Sequence, residues 1–294
     1  MKTIYQSLCF EMNNPVPQAM AALSPRKLLR SIVLSILLGI SSTPAFADDL
    51  LVAVASNFIK PMQAISQQFT ESTGHKVTLS FGSSGKLMAQ IRHGAPFDLF
   101  LSADQDKVTR LLEKELAVSG SEFIYAQGRL VLWSGKQELV DTSGDVLKSD
   151  KFRYIALADA KLAPYGKAAE QVISALGIEQ HLKPRVVKGE NISQTYQFVR
   201  TGNADLGFVA LSQVQHHPES LKGSQWLIPR DYHEPIDQYA VILKRAKHKD
   251  AATEFSQFLQ RKSTHALIRS FGYDLPTSVQ LAESDQSCDY AYLR

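Results

Sequence analysis

From residue 50 onward the chain alternates short apolar runs with stretches in which apolar residues recur at helical spacing. The runs at 50–55, 76–81, 97–102, 129–133, 154–158, 185–188, 206–209 and 239–243 are of strand length. Between them fall Phe58, Met62, Ile65 and Phe69, then Val108, Leu111 and Leu112, then Val172, Ile173 and Leu176. Each set lines one face of a helix of 3.6-residue period. Strands alternating with helices predict an α/β protein with largely parallel sheets. In such sheets small ligands sit at the carboxyl ends of strands, where helices begin.

Several of the predicted strand-to-helix turns carry short polar residues. Ala55-Ser56-Asn57-Phe58 and Phe81-Gly82-Ser83-Ser84-Gly85 each put a hydroxyl where a helix should start. The first N–H groups of a helix have no intrahelical partner and lie at the positive end of its dipole, so they attract anions. Serine and asparagine are equally the preferred N-caps of any helix, and either turn alone reads as a cap. Three further segments repeat the pattern: 158–166, which includes Ala163-Pro164-Tyr165-Gly166; 187–194, which includes Glu190-Asn191-Ile192-Ser193; and the apolar run Leu206-Gly207-Phe208-Val209-Ala210. Pro164 suits a helix start. Singly these are ordinary turn chemistry. Four helix starts of this kind in one chain suggest two half-sites facing each other.

Charge and export signals change the picture of the partner. Arg26, Lys27 and Arg30 precede the apolar run at 32–38, and Ala45-Phe46-Ala47 follows, so the sequence predicts a cleaved export signal ending at Ala47. The run is too short for a membrane anchor, and Met20 gives a more ordinary start to the signal than Met1. The chain has 32 basic and 29 acidic residues; removing Lys2, Arg26, Lys27, Arg30 and Glu11 with the signal leaves 28 of each. A neutral mature chain argues against nucleic acid or a membrane surface as partner. Cys9 lies far ahead of the apolar run, so it is not a lipid-attachment residue, and Cys288 is left alone near the C-terminus, as a free thiol or one that pairs between molecules. The 247 residues from 48 to 294 suffice for one large core or two smaller ones.

The sequence resembles the periplasmic molybdate-binding proteins of ABC transporters. The resemblance is carried by 52–58, by 81–87, by Gly94-Ala95-Pro96-Phe97-Asp98-Leu99-Phe100-Leu101-Ser102-Ala103-Asp104-Gln105, by Ala163-Pro164-Tyr165-Gly166, by 204–210 and by Gly272-Tyr273-Asp274-Leu275-Pro276. It implies a two-lobed periplasmic binding protein of type II, α/β, with a mixed, mostly parallel sheet in each lobe and two crossing segments as hinge. Lobe 1 would take 48–128 plus 235–294, lobe 2 would take 129–234, and the crossings would lie near 125–129 and 230–238. The resemblance places the oxyanion against Ser56, Asn57 and Ser84 on one side and Tyr165 and the backbone N–H of Ile192 on the other. Some members carry a ligand-binding tyrosine where this chain has Ala210, and Tyr165 is expected to supply that hydroxyl instead. The ligand would be molybdate or tungstate, with no cofactor, no catalytic residue and no direct metal-cation ligand. The partners would be an ABC permease and its ATPase subunit, the location the periplasm, and the protein a monomer that is not membrane-embedded.

The chemistry of the residues agrees with that implication. A dianion can be buried without a countercharge when several neutral donors and helix ends receive its oxygens. A site of donors alone also rejects phosphate, which keeps protons that need an acceptor, while molybdate, tungstate and sulfate are fully deprotonated at neutral pH. The alternatives are a sulfate or thiosulfate receptor of the same fold and, more distantly, a serine hydrolase built on Ser84. A G-x-S-x-G elbow needs glycine at the position occupied by Lys86. Adjacent His216 and His217 do not converge on one ion. Asp98 and Asp104 read as turn and cap residues, Ser83 as a residue that shapes its turn, and Lys86 and Lys167 as surface positions. The polar segment 277–294 reads as a frayed end.

Overall fold

The computed structural model describes residues 48–215 and 223–276. The expected export signal, both cysteines, the His216-His217 pair and the tail 277–294 lie outside them. Among the described residues no helix is long and apolar enough to cross a membrane.

Ten strands among the described residues form two sheets. The first contains β1 (Asp49–Ala55), β2 (Lys76–Gly82), β3 (Leu99–Ser102), β4 (Phe123–Gly128) and β10 (Ile236–Ile242), in the order β2-β1-β3-β10-β4. The second contains β5 (Leu130–Ser134), β6 (Ile155–Ala158), β7 (Val186–Gly189), β8 (Leu206–Ala210) and β9 (Ser224–Leu227), in the order β7-β6-β8-β5-β9. Both sheets are mixed in the same way. β1 pairs in parallel with β2 and β3, and β6 with β7 and β8, whereas β10 and β5 run antiparallel to their neighbours. Each sheet is therefore parallel on the side that carries the serine-rich or asparagine-capped turns. Its antiparallel side is where the chain enters or leaves.

All eight runs expected as strands are strands, and two more are present. β4 lies just ahead of the expected run at 129–133, separated from β5 by Arg129 alone. β9 escapes the pattern because it is four residues long and carries a single buried side chain, Trp226.

The helices follow the expected periodicities. In Ile59–Thr73 the stripe continues from Phe58 through Met62, Ile65 and Phe69, all fully buried, and the helix ends at Gly74 in the left-handed conformation. Full burial of each such side chain stabilises the fold by about 1.5–3 kcal/mol. Phe58 also meets the rings of Tyr125 and Tyr273 edge-on, each at 4.9 Å between centroids, which fixes the chain immediately after the first polar turn. Pro164 opens the helix Pro164–Ala175 as its first residue, and Asn191 caps Ile192–Arg200 by accepting from the Gln194 N–H at 3.0 Å.

The chain leaves the first sheet after Gly128 and returns to it at Ile236, which pairs with Gly128. Asp274 lies beside both passages. Its Oδ2 accepts from Arg129 at 3.1 Å and from Arg230 at 2.6 Å, while its backbone exchanges two hydrogen bonds with Gln127. The exit and return segments are thereby tied to one carboxylate.

Candidate functional site

The carboxyl ends of five parallel strands converge on one small cavity. Ser56 and Asn57 follow β1, Ser83 and Ser84 follow β2, and Ala103 follows β3; from the second sheet come Ala163, Pro164 and Tyr165 after β6 and Ile192 after β7. All five residues expected to hold the oxyanion, Ser56, Asn57, Ser84, Tyr165 and Ile192, line this cavity and are buried. The space is about 10 Å³, room for little more than a water molecule, so its walls are closed on each other. None of its lining residues carries a charge.

The donors differ in how they are held. Ser84 Oγ accepts from the backbone N–H of Ala103 at 2.9 Å, which leaves its own proton to donate into the cavity. Ser83, one residue earlier, caps the helix Ser84–Arg92 by accepting from the Lys86 N–H at 3.4 Å and shapes the turn. Ile192 is the first residue of its helix, so its N–H has no intrahelical acceptor. Gly85 donates its N–H to the carbonyl of Leu162 at 3.0 Å across the two halves of the cavity. A Cβ at residue 85 would lie 3.1 Å from the Leu162 backbone, so glycine permits this approach.

The Asn57 side chain is committed within the protein. Its amide nitrogen donates to Gln238 Oε1 at 2.7 Å and to the Tyr273 hydroxyl at 3.0 Å, which uses both of its protons. Its carbonyl accepts from Tyr273 at 2.7 Å and from Ser212 at 3.0 Å. Gln238 is held in turn by donating to the Ile236 carbonyl at 3.1 Å. The Asn57 side chain therefore anchors the turn. Gln238, Tyr273 and Ser212 carry no local sequence signal for this role, because they come from 155 to 216 residues away.

Tyr165 Oη is fully buried and makes no hydrogen bond of regular geometry among the described residues, although the Tyr273 hydroxyl and the Asn57 side chain lie close enough to influence it. It lies close to Gly128, where an added Cβ would come within 2.2 Å of the hydroxyl. Burial, with the neighbouring Tyr273 and Tyr125 phenols adding to it, pushes the Tyr165 pKa well above the usual tyrosine range. The group is a neutral donor at any physiological pH. A buried hydroxyl without a regular hydrogen bond costs about 1–3 kcal/mol, a cost that a bound acceptor would remove.

The surrounding charges lie outside this cavity. A larger space of about 220 Å³ shares Ala103 and Pro164 with it but is lined by Asp104, Asp106, Glu234 and Asp237 against the single cation Lys167. Four carboxylates repel a dianion, so the small neutral cavity is the better oxyanion site despite its size. Lys86 and Lys167 are exposed and ion-paired, to Glu190 at 2.8 Å and to Glu234 at 2.7 Å. Asp104 caps the helix Gln105–Glu113, and Asp98 accepts from the backbone N–H groups of Leu51 and Lys247 at 2.8 and 2.7 Å. Among the described residues no group of histidine, cysteine, aspartate and glutamate is placed to hold a metal ion. No histidine lines the cavity that contains Ser84.

Residues 50–274 match the family model described as bacterial extracellular solute-binding protein. Over 247 residues, 84% of this chain and 98% of the relative, the sequence is 44% identical to the molybdate-binding protein ModA of Azotobacter vinelandii. The chain belongs to the ModA family. It is 45% identical over 240 residues to the molybdate-binding protein ModA of Rhodobacter capsulatus, covering 82% of this chain and 93% of that one. The solved structure of the periplasmic molybdate-binding protein of Azotobacter vinelandii superposes with a TM-score of 0.76 at 41% identity, covering 78% of this chain and all of the other. The sulfate-binding protein SubI of Mycobacterium tuberculosis has a TM-score of 0.65 at 13% identity, which is a likeness of fold alone. The ModA family thus accounts for the two-lobed α/β architecture and for the turns that build the cavity.

Proposed function

We propose that this chain captures molybdate or tungstate between two lobes and delivers the anion to an ABC importer. One observation carries the reading: a single small cavity, walled by both sheets, in which uncharged donors converge and no charged side chain is present. Supporting it, the relatives with 44% and 45% identity are molybdate-binding proteins. The oxyanion would take the hydroxyls of Ser56, Ser84 and Tyr165 and the backbone N–H groups of Asn57 and Ile192. Hydrogen bonds from neutral donors to an anion are worth about 1.5–3 kcal/mol each, so a handful offsets a large part of the desolvation of a dianion.

Lobe 1 comprises 48–128 plus 235–294 and lobe 2 comprises 129–234 in this proposal, with the hinge at the two passages tied to Asp274. The anion drives closure because it binds groups from both lobes; a ligand touching one lobe has no differential affinity for the closed form. The protein acts as a carrier and not as an enzyme, in the periplasm after loss of its export signal, as a monomer recognised by a permease with an ATPase subunit. Size separates molybdate and tungstate from sulfate, and the lack of an acceptor in the site rejects phosphate.

Calorimetric titration of residues 48–294 with molybdate, tungstate, sulfate and phosphate tests this. Tight binding of molybdate and tungstate with no heat from phosphate is expected. Tight binding of sulfate alone would make the protein a sulfate receptor.

A further inference from the structure

The turn that presents Asn57 to the cavity is gripped from the second lobe by two hydroxyls that do not line the presumed anion position. Ser193 Oγ donates to the carbonyl oxygen of Ser56 at 2.9 Å, and Ser212 Oγ donates to the carbonyl oxygen of Asn57 at 3.0 Å. Ser193 stands in the first turn of the helix Ile192–Arg200, and Ser212 at the start of the short helix after β8. Both belong to the second sheet's half of the molecule, and both acceptors follow β1 of the first. The two contacts therefore exist only when the halves are together.

The acceptors are not arbitrary carbonyls. The C=O of Ser56 and the N–H of Asn57 belong to one peptide group, and the C=O of Asn57 and the N–H of Phe58 to the next. A hydrogen bond received by the carbonyl polarises the peptide and strengthens what its N–H donates. We propose that Ser193 and Ser212 form a two-serine latch on the turn that presents Asn57, Ser193 closing on the back of the anion-binding Ser56–Asn57 peptide and Ser212 bracing the following peptide beside the Tyr273 hydroxyl at 3.0 Å, making them positioning residues that raise oxyanion affinity without touching the anion. The inference rests on the oxyanion-binding reading above. The latch engages after capture, so it slows release and leaves capture alone. The nearby Lys86–Glu190 pair also bridges the halves, but both partners are about half exposed and such pairs contribute about 0–1 kcal/mol.

Stopped-flow measurement of molybdate association and dissociation tests the latch on wild type, Ser193→Ala, Ser212→Ala and Ser193→Thr, with melting temperatures recorded without anion. One hydrogen bond of ordinary strength corresponds to roughly a three- to tenfold change. The dissociation rate is expected to rise by about that factor in each alanine variant, with association within about twofold of wild type and the anion-free melting temperature unchanged. Ser193→Thr keeps the hydroxyl and should restore slow release. Unchanged dissociation in Ser193→Ala overturns the latch, as does an equal loss in Ser193→Thr. A lowered anion-free melting temperature with unaltered release makes the serines structural. If wild type binds sulfate and not molybdate, the ligand reading fails, and the same kinetics with sulfate decide the latch. If wild type binds neither anion, both fall.

Discussion

Ser84 Oγ accepts the backbone N–H of Ala103 at 2.9 Å, so the hydroxyl that faces the cavity is oriented by the end of β3, which β1 separates from β2 in the sheet. This bond ties the turns after β2 and β3 together and determines which way the serine proton points. It also means that Ser84 has two roles, a donor to the anion and an acceptor for a buried N–H.

Ser84→Ala removes both. Molybdate affinity should fall by about 10- to 100-fold, the equivalent of one charge-assisted hydrogen bond. The anion-free protein should also lose about 1–2 kcal/mol because the Ala103 N–H is left unpaired. Calorimetry and denaturant unfolding read the two effects separately; unaltered affinity removes Ser84 from the site.

Tyr165→Phe should separate binding from stability in the other direction. The hydroxyl makes no hydrogen bond of regular geometry in the closed cavity, so its loss weakens molybdate binding while the anion-free melting temperature holds or rises. The loss of affinity should be smaller than in Ser84→Ala, since no regular protein hydrogen bond is broken. A falling melting temperature with unchanged affinity would contradict this role.

Gly128→Ala places a Cβ 2.2 Å from the Tyr165 hydroxyl at the passage between the sheets. The variant should be destabilised by about 1–3 kcal/mol as overpacked sites are. Combining it with Tyr165→Phe should recover part of the loss, and additive effects in unfolding experiments would show that the two positions do not meet.

Alkaline pH should weaken the fold through buried phenols. Burial raises the pKa of Tyr125, Tyr165 and Tyr273 above the usual value. The unfolded chain releases these protons near pH ~10 while the folded chain retains them, so above that pH the unfolded state binds fewer protons and stability falls. Their contribution is fully present below pH ~10 and is lost as the pH rises towards the folded values, by up to about 1.4 kcal/mol per unit for each tyrosine. Melting curves between pH 7 and 11 should show a drop that is shallower in Tyr165→Phe. An equal drop in the variant would contradict the shift.

The parts legible in the sequence are those with a local cause. The stripe from Phe58 to Phe69, Pro164 at a helix start and the Asp104 and Asn191 caps each follow from residues within one or two turns. The two sheets follow from the alternation of strands and helices. The five expected ligand residues lie at turns with recognisable chemistry, and the structure brings all of them to one cavity. What was not legible depends on distant partners. Nothing near Asn57 indicates that its amide is bound to Gln238 and Tyr273, or that Ser193 and Ser212 reach the carbonyls of its turn.

The most direct test of the donor-only clamp is the anomalous scattering of molybdenum in crystals of residues 48–294 grown with molybdate. The account predicts one strong peak enclosed by Ser56, Asn57, Ser84, Tyr165 and Ile192, within hydrogen-bond reach of donors from both lobes. A peak among Asp104, Asp106 and Lys167, or anywhere else on the protein, would contradict it.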